Sequence, residues 1–354
     1  MKKIRVLVID DSALMRQLIK EILQLDRTIE VVGSAKDPFE AREKILALNP
    51  DVLTLDVEMP RMDGLSFLEK LMSGRPMPVV MLSSLTEKGC QTTMRALELG
   101  AVDFITKPKL DVVAGMDSLV DEIIEKVKFA ATANIQRRRI TSERAVYSGP
   151  KPPLSSSLIT STHKVIAIGG STGGTEALLE LLAAFPPDAP GAVAVIHMPE
   201  GFTNSFAQRL DRHCQVRVKE AQDGDRIIPG HVLVAAGNYH MEVHRSGATY
   251  AVRVFTGPPV SRHRPSVDVL FSSCARYLGK NAVGAILTGM GNDGAAGMLE
   301  MKQAGATNFA QDEATCVAFG MPKEAIAKGG VDEVLPLQRM APQILRAARC
   351  EILV

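Results

Sequence analysis

The sequence predicts an α/β protein in which two regions each contain a mostly parallel β-sheet. Three observations support this class. Short runs of apolar, often β-branched residues recur along the 354-residue chain, as expected of buried parallel strands. Segments with helical periodicity lie between these runs, which favours strand–helix–strand units. Residues 241–254 alternate around Ser246-Gly247 and predict a β-hairpin beside the C-terminal parallel strands.

The N-terminal third contains successive strand–helix units whose number and length predict a doubly wound, flavodoxin-like sheet. Its clearest strands are residues 4–9 and 52–55. Ser12 is the predicted N-cap of the first helix, whose buried face is predicted from the helical spacing of Leu14, Leu18, Ile22 and Leu25. Another helix is predicted to begin at Asp63-Gly64, and the last helix runs from about residue 115 to residue 130.

The C-terminal half predicts a second doubly wound sheet with a different set of motifs. Its strand-like runs are residues 165–168, 192–196, 232–235, 282–287 and 306–310. We therefore predict a first domain over 1–130, a flexible linker over 131–163 and a second domain over 164–354. The linker is rich in Ser, Thr, Pro and Arg, so it is either a solvated spacer or a basic tract that docks an acidic partner.

The composition excludes several classes of function. The net charge is +1, so no global field favours nucleic acid or a membrane surface. Five scattered cysteines without a CxxC pair are typical of a reducing compartment and do not indicate a zinc site. The N-terminal segment MKKIRVLVID predicts a strand rather than a signal peptide. We expect a cytoplasmic protein with no direct membrane insertion and no nucleic-acid partner.

Polar residues follow the predicted strands of the first domain at the point where each strand ends. They are Asp10, Asp11, Asp56, Ser83 and Lys107. Because the carboxyl ends of parallel strands meet at one edge of a sheet, these side chains are expected to converge there. Three converging carboxylates suit a hard cation such as Mg²⁺. Each residue alone is more often a helix cap or a turn residue, but the ordered set predicts a site that places a phosphoryl group on a carboxylate.

The motifs VLVIDDS, LTLDVEMPRMDG and ITKPK make residues 1 to about 128 resemble the receiver domain of response regulators. The resemblance implies phosphorylation of Asp56 by a chemotaxis histidine kinase. It also implies direct Mg²⁺ binding by Asp11, Asp56 and the carbonyl oxygen of Glu58. Support of the phosphoryl site is implied for Asp10, Ser83 and Lys107.

A glycine-rich turn, Gly169-Gly170-Ser171-Thr172-Gly173-Gly174, lies between a predicted strand and a predicted helix in the second domain. Glycines allow a sharp turn, and amides at a helix start favour negative charge. Two interpretations are open on this segment alone. It is either a phosphate cradle or a serine nucleophile beside an oxyanion hole, and it lacks the lysine of a P-loop.

Two further strand ends carry His197 and Asp293. A histidine after a buried strand is more often a core residue than a catalyst, and Asp293 alone is more often the cap of the helix over 294–304. Together with Ser171, however, they lie at what is predicted to be one edge of a sheet. That arrangement provides a hydroxyl nucleophile, an imidazole base and a carboxylate that orients the base.

The motifs GGSTGG, VIHMP, HRPSVDVLF and LTGMGNDG make residues 164–352 resemble the catalytic domain of chemotaxis protein-glutamate methylesterases, the CheB family. The resemblance implies that Ser171 is the nucleophile, that His197 is the general base and that Asp293 orients it. The Met290 amide is implied in the oxyanion hole, and Thr172 is implied in positioning His197 or substrate. No cofactor is implied in this second site.

The implied function is phosphorylation-activated hydrolysis of glutamate methyl esters, with release of methanol, and deamidation of specific glutamines on the cytoplasmic domains of chemoreceptors. Two alternatives are weighed beside it. A ligand-binding second domain needs neither His197 nor Asp293, and a pure scaffold needs no reactive serine. A DNA-binding output is disfavoured because the second half shows no helix-turn-helix pattern.

His263, Arg264 and Pro265 lie just before the predicted helix over 266–277. They either line the substrate groove or form a basic loop that Ser266 caps. The sequence favours neither interpretation.

Overall fold

The computed structural model describes residues 3–59, 63–84, 86–107, 116–133 and 164–349. Most of the predicted linker, including residues 134–163, and Pro108 of the ITKPK motif lie outside the described residues. The chain divides into two compact units, with the boundary between Arg144 and Ala145. Among the residues described, no helix combines the length and the apolar content needed to cross a membrane.

The first unit is a five-stranded sheet with the order β2-β1-β3-β4-β5, in which neighbouring strands run parallel. This is the flavodoxin-like order that the sequence predicts. The strands are Ile4–Ile9 (β1), Ile29–Ala35 (β2), Val52–Asp56 (β3), Val79–Ser83 (β4) and Asp103–Thr106 (β5). The helices are Ala13–Gln24 (α1), Pro38–Leu48 (α2), Gly64–Gly74 (α3), Glu87–Glu98 (α4) and Met116–Ala130 (α5).

The predicted Ser12 cap and the predicted helix start at Asp63-Gly64 are correct, but the predicted buried face of α1 is partly wrong. The Ser12 Oγ accepts a hydrogen bond from Met15 N–H, and the Asp63 carboxylate accepts one from Ser66 N–H. Leu14 and Leu25 are 57% and 69% exposed. The helix instead buries its face through Met15, Ile19, Ile22 and Leu23. Packing against the sheet determines which face of α1 is buried, and the spacing of the leucines carries no information about that packing.

The second unit is a seven-stranded sheet with the order β14-β13-β12-β6-β7-β9-β8, and a separate hairpin pairs β10 with β11. The strands are Val165–Gly170 (β6), Ala192–Ile196 (β7), Arg217–Glu220 (β8), His231–Val234 (β9), His240–Ser246 (β10), Thr249–Phe255 (β11), Ala282–Ile286 (β12), Thr307–Gln311 (β13) and Glu333–Leu335 (β14). The helices are Gly174–Ala183 (α6), Phe202–His213 (α7), Val267–Tyr277 (α8), Ala295–Gln303 (α9), Met321–Ala327 (α10) and Leu337–Ala348 (α11).

The two strands that the sequence did not predict, β8 and β14, lie at the two edges of the seven-stranded sheet. Both are short, and each exposes at least one charged residue, so neither carries the apolar run that marks a central strand. The hairpin is present, but its turn lies one residue later than predicted, because Ser246 pairs with Thr249 and leaves Gly247-Ala248 as the loop.

The centre of the second sheet determines where a site can form. Strand β6 lies between β12 and β7, and all three run parallel. The chain runs from β6 to β7 on one side and from β12 to β13 on the other, which makes the crevice between the carboxyl ends of β6 and β12 a topological switch point. Ligands of open α/β sheets bind in the crevice at such a point. Ser171, which directly follows β6, therefore starts from the position that this fold favours for a site.

Candidate functional site

The Ser171 turn is a tight connection between β6 and α6. The Ser171 N–H donates to the Thr288 carbonyl oxygen at 3.0 Å, and the Gly174 N–H donates to the Ser171 carbonyl oxygen at 2.7 Å. Gly173 has φ +75°, and a Cβ there would lie 2.6 Å from Cβ of Val317. Only glycine fits both conditions, so this glycine fixes the turn that leaves Ser171 half-buried at the sheet edge.

His197 follows β7, the strand beside β6. Its backbone N–H donates to the Gly170 carbonyl oxygen at 3.2 Å, which continues the β6–β7 register past the strand end. Its Nε2 lies 2.8 Å from Asp293 Oδ2, and its side chain is 7% exposed. The other ring nitrogen, Nδ1, is buried with no hydrogen-bond partner among the described residues. With an ionised Asp293, Nε2 carries the proton, so Nδ1 is free to act as a base.

Asp293 is buried and accepts hydrogen bonds from the start of α8. Its carboxylate accepts from the Ser266 hydroxyl at 2.7 Å, from Val267 N–H at 2.7 Å and from Asp268 N–H at 3.0 Å, besides its bond to His197. Burial alone raises the pKa of the Asp293 carboxyl, but the His197 bond and these donors outweigh it and hold the pKa at about 2. Asp293 is therefore ionised at neutral pH.

The alternative interpretation of Asp293, a cap for the helix that follows it, does not match the structure. The N-cap of α9 is Gly294, with no side-chain capping bond. Asp293 instead binds the amino end of α8, where the unpaired amides and the helix dipole favour a negative charge. The sequence could not reveal this partner, because α8 precedes Asp293 by 16–26 residues and only the fold brings them together.

Ser171 and His197 occupy equivalent positions after neighbouring strands, but no hydrogen bond joins Ser171 Oγ to the imidazole in the part of the chain described. Such bonds are often long in the absence of substrate. Two backbone amides nearby, those of Thr172 and Met290, donate no hydrogen bond to any described residue. Thr172 is buried, and its carbonyl oxygen accepts from the Thr288 hydroxyl at 3.0 Å. These free donors are suited to an oxyanion.

The acidic cluster of the first unit brings together three of the predicted residues. One carboxylate oxygen from each of Asp10, Asp11 and Asp56 lies within 4.8 Å of the others. Lys107 Nζ lies 2.8 Å from Asp56 Oδ1 and 2.9 Å from Asp10 Oδ2. Burial, followed by repulsion from Asp10, raises the pKa of the Asp56 carboxyl to about 6, although Lys107 and the Glu58 N–H act in the opposite direction.

This cluster fits a divalent cation. Asp56 Oδ2 is buried and accepts no hydrogen bond from a described residue. The side-chain atoms of the cluster that could bind a metal are all carboxylate oxygens. A hard cation suits such a set and would relieve the repulsion that raises the pKa of Asp56. Glu58 is exposed, and its backbone N–H donates to Asp56 Oδ1 at 3.2 Å.

Ser83 is buried at the end of β4, where the sequence places it, but its hydroxyl is engaged by α4. It accepts from Thr93 Oγ1 at 2.6 Å and lies 3.3 Å from the Gly89 carbonyl oxygen. Thr93 also donates to Gly89 at 2.8 Å. A phosphoryl group on Asp56 would therefore have to draw Ser83 away from these partners.

Two residues that hold the second site were missed by the sequence analysis. Ser266 was recognised only as a helix cap, and Thr288 was not singled out. Ser266 does cap α8, since its Oγ accepts from Val269 N–H at 3.4 Å, but the same hydroxyl also donates to Asp293. Thr288 lies inside the LTGMGNDG motif, which was the only available signal.

Comparison with known proteins decides the family. The pattern of the CheB methylesterase family matches residues 166–344, and that of the response regulator receiver domain matches residues 6–114. The chain belongs to the CheB methylesterase family. The match covers the second unit from β6 through most of α11, so it includes all the elements that carry the Ser171 site.

Relatives across nearly the whole length support this membership. A Geobacter metallireducens protein named protein-glutamate methylesterase/protein-glutamine glutaminase 1 is 60% identical over 95% of this chain and 94% of its own. A Salmonella typhimurium relative with the same enzyme name is 57% identical over 98% of this chain and 97% of its own. The crystal structure of the Thermotoga maritima CheB methylesterase catalytic domain is 36% identical, with a TM-score of 0.51, and covers 52% of this chain and 97% of that chain.

Proposed function

We propose that this protein is a phosphorylation-activated hydrolase that removes methyl esters from glutamate side chains of chemoreceptors and deamidates specific receptor glutamines. The observation that carries the proposal is the 2.8 Å contact between His197 Nε2 and Asp293 Oδ2 beside the Ser171 turn. A histidine oriented by an ionised carboxylate, beside a half-buried serine at the same sheet edge, is the arrangement of a serine hydrolase. The names of the full-length relatives supply the substrate class.

Acylation begins when the Ser171 hydroxyl oxygen attacks the ester carbonyl carbon. His197 Nδ1 takes the hydroxyl proton, and Asp293 stabilises the imidazolium that forms. The amides of Met290 and Thr172 donate to the oxyanion of the tetrahedral intermediate, an effect of about 3 kcal/mol per donor in comparable sites. The imidazolium then protonates the departing methoxide oxygen, which leaves as methanol and yields a glutamyl ester of Ser171.

Deacylation repeats these steps with water. His197 removes a proton from water as the water oxygen attacks the acyl carbon. The Ser171 oxygen leaves, recovers the proton from the imidazolium and releases glutamate. With a glutamine substrate the same sequence expels ammonia in place of methanol. Because an amide carbonyl is the poorer electrophile, esters are expected to have the higher kcat/KM on matched receptors.

Phosphorylation of Asp56 by a chemotaxis histidine kinase is the proposed activating event. Asp11, Asp56 and the Glu58 carbonyl oxygen would hold Mg²⁺, with Asp10 supporting them. When bound, Mg²⁺ neutralises charge on the carboxylate and the incoming phosphoryl oxygens. Lys107, now paired with Asp56, would pair with the phosphoryl group, and Ser83 would donate a hydrogen bond to it.

Methanol release from methylated chemoreceptor membranes tests both parts of the proposal. The wild type and Ser171→Ala are compared with and without a small phosphodonor and Mg²⁺. Ser246→Ala is the matched control, because Ser246 lies exposed at the tip of the β10–β11 hairpin. We expect release from the wild type and Ser246→Ala but not from Ser171→Ala, and we expect Asp56→Asn to abolish the response to phosphodonor.

Each alternative result has a definite meaning. Methanol release that requires Ser171 but does not respond to the phosphodonor would support the esterase activity and reject its activation by phosphorylation. No release by the wild type from a competent substrate would reject the esterase and leave the ligand-binding or scaffold alternatives.

A further inference from the structure

The imidazole of His263 stacks on the imidazole of His197. The ring centroids are 3.7 Å apart, and the planes are inclined by 14°. His263 lies in the segment between β11 and α8, not at the end of a parallel strand. The strand-end pattern that points to Ser171 and His197 therefore gives no reason to expect it here.

A tight backbone turn presents His263 to His197. Val260 and His263 exchange two backbone hydrogen bonds, at 3.0 and 2.9 Å. Between them, Ser261 and Arg262 have φ values of 50° and 69°. Two successive non-glycine residues in the left-handed region are energetically unfavourable, and such conformations persist only where surrounding contacts fix them.

The contacts that fix this turn run through Arg264 and Asn238. The Arg264 Nε donates to Asn238 Oδ1 at 3.0 Å, and the Asn238 N–H donates to the Arg264 carbonyl oxygen at 3.2 Å. Arg264 Nη1 also donates to the Gly257 carbonyl oxygen. These bonds hold the backbone next to His263 from two sides.

The same hydrogen-bond network also reaches the loop that follows His197. Asn238 Nδ2 donates to Glu200 Oε2 at 3.1 Å, and Glu200 lies three residues after His197. The backbones also approach closely, since a Cβ on Gly237 would lie 2.6 Å from atoms of Pro199 and Glu200. The loop after β7 and the loop before α8 are therefore tied together, with the two imidazoles stacked at one end.

We propose that His263 is a positioning residue for the reaction, which holds the His197 ring in its catalytic orientation and stabilises its protonated form. The inference rests on the proposed esterase function. The stacked ring restricts rotation of His197 about its side-chain torsions and keeps water from one face. A neutral aromatic face also attracts the imidazolium that forms during each proton transfer, as other rings attract cations.

The surrounding charges define the pH behaviour. Asp293 contacts the edge of His197, Arg262 and Arg264 flank His263 in the chain, and Asp268 on α8 lies 3.4 Å from Ser261 Oγ. A second positive charge on His263 would face the imidazolium across 3.7 Å and repel it. His263 therefore favours the imidazolium of His197 only while its own ring is neutral.

The test compares His263→Ala and His263→Phe in the full-length chain, with His231→Phe as the control. His231 lies at the amino end of β9, on the opposite edge of the sheet from Ser171. We expect His263→Ala to lower kcat for methanol release about tenfold with KM within about twofold of wild type. We expect His263→Phe, which keeps an aromatic face, to restore kcat to within about threefold of wild type.

A pH profile separates positioning from a structural role. His263→Ala removes the neutral face that stabilises the imidazolium, so the acid limb of kcat/KM should move to lower pH, whereas His263→Phe should keep the limb of the wild type. The NMR titration of the His197 ring in the full chain, labelled with ¹³C-histidine, should move in the same direction. This second readout does not depend on turnover, so it tests the inference even if the esterase function fails.

Loss of folding in His263→Ala would not leave the inference untested. Asn238→Gly keeps the positive φ of 68° that Asn238 adopts and removes the side chain that ties the two loops. Asn238→Gly should lower kcat less than His263→Ala does, because the His263 ring is still present. Unchanged kcat in both His263→Ala and Asn238→Gly, or an unchanged His197 titration in His263→Ala, would overturn the inference.

Discussion

The hydroxyl group of Thr288 donates a hydrogen bond to the carbonyl oxygen of Thr172 at 3.0 Å. The carbonyl oxygen of Thr288 accepts from Ser171 N–H, also at 3.0 Å. Thr288 is 1% exposed, and its own N–H donates to Gln311 Oε1 at 2.8 Å. One buried residue therefore ties the nucleophile turn to the strand end that continues into Met290.

Replacement of Thr288 by Val should lower kcat by about tenfold, because the hydroxyl that holds Thr172 and accepts from Ala318 N–H at 2.8 Å is lost. A buried amide and a buried carbonyl would lose a partner, which costs about 1–3 kcal/mol of stability. Thr288→Ser keeps the hydroxyl and is the matched control. Kinetics and thermal unfolding check the result, and equal kcat for Val and Ser variants would contradict it.

Asp293→Asn should lower kcat by about 10³–10⁴ with a small change in KM. The amide is neutral and no longer stabilises the imidazolium, and a comparable change in a serine protease has an effect of this size. The amide oxygen can still accept from α8, so folding is expected to persist. Single-turnover methanol release measures the effect. Ser266→Ala, which removes one donor to Asp293, should have a much smaller effect on kcat.

The stability contributed by Asp293 should disappear in acid. Its folded pKa of about 2 lies below the ordinary value of 3.8, so its contribution is fully present above about pH 4 and is lost as the pH falls toward 2. The difference in free energy of unfolding between wild type and Asp293→Asn, measured by urea titration from pH 6 downward, should therefore shrink below pH 4. A difference that stays constant to pH 2.5 would contradict this expectation.

Asp56 should behave in the opposite way. Its folded pKa of about 6 lies above 3.8, so the fold disfavours its charge, and stability falls as the pH rises from about 4 to 6. Asp56→Asn should therefore raise the free energy of unfolding by about 1–3 kcal/mol at pH 8 without metal. The gain should vanish below about pH 4.

Addition of Mg²⁺ supplies the control for the Asp56 experiment. The cation competes with the proton, so it should stabilise the wild type at pH 8 more than at pH 5 and should stabilise Asp56→Asn least. Denaturant titrations with and without Mg²⁺ measure these differences. Equal stabilisation of both proteins would argue against cation binding at the acidic cluster.

The central strands and the family could be predicted from the sequence because both depend on local patterns. Strand β7 has the predicted bounds, and the α/β class and the CheB membership are confirmed. The roles of the site residues and the domain boundaries stay predictions. The structure does place Ser171, His197 and Asp293 at one edge of the sheet, as their positions after parallel strands predict.

What local patterns could not predict are contacts between distant segments. The exposure of Leu14 and Leu25 follows from how α1 rests on its sheet. The attachment of Asp293 to α8 and the stack of His263 on His197 both bring together residues that are far apart in sequence. In each case the contacting residue is too far away in the sequence for periodicity or capping rules, which use only neighbouring residues, to predict the contact.

The hydrogen bonds of Asp293 to the start of α8 have one more consequence. The ring stack and the carboxylate anchor reach His197 through the same short stretch, since His263 and Ser266 are three residues apart. A molecule that pulled this stretch from the sheet would remove the ring that stacks on His197 and, together with it, the Ser266 hydroxyl that donates to Asp293, with Ser171 untouched. Compounds that bind this stretch are therefore expected to inhibit the enzyme without reacting with its nucleophile.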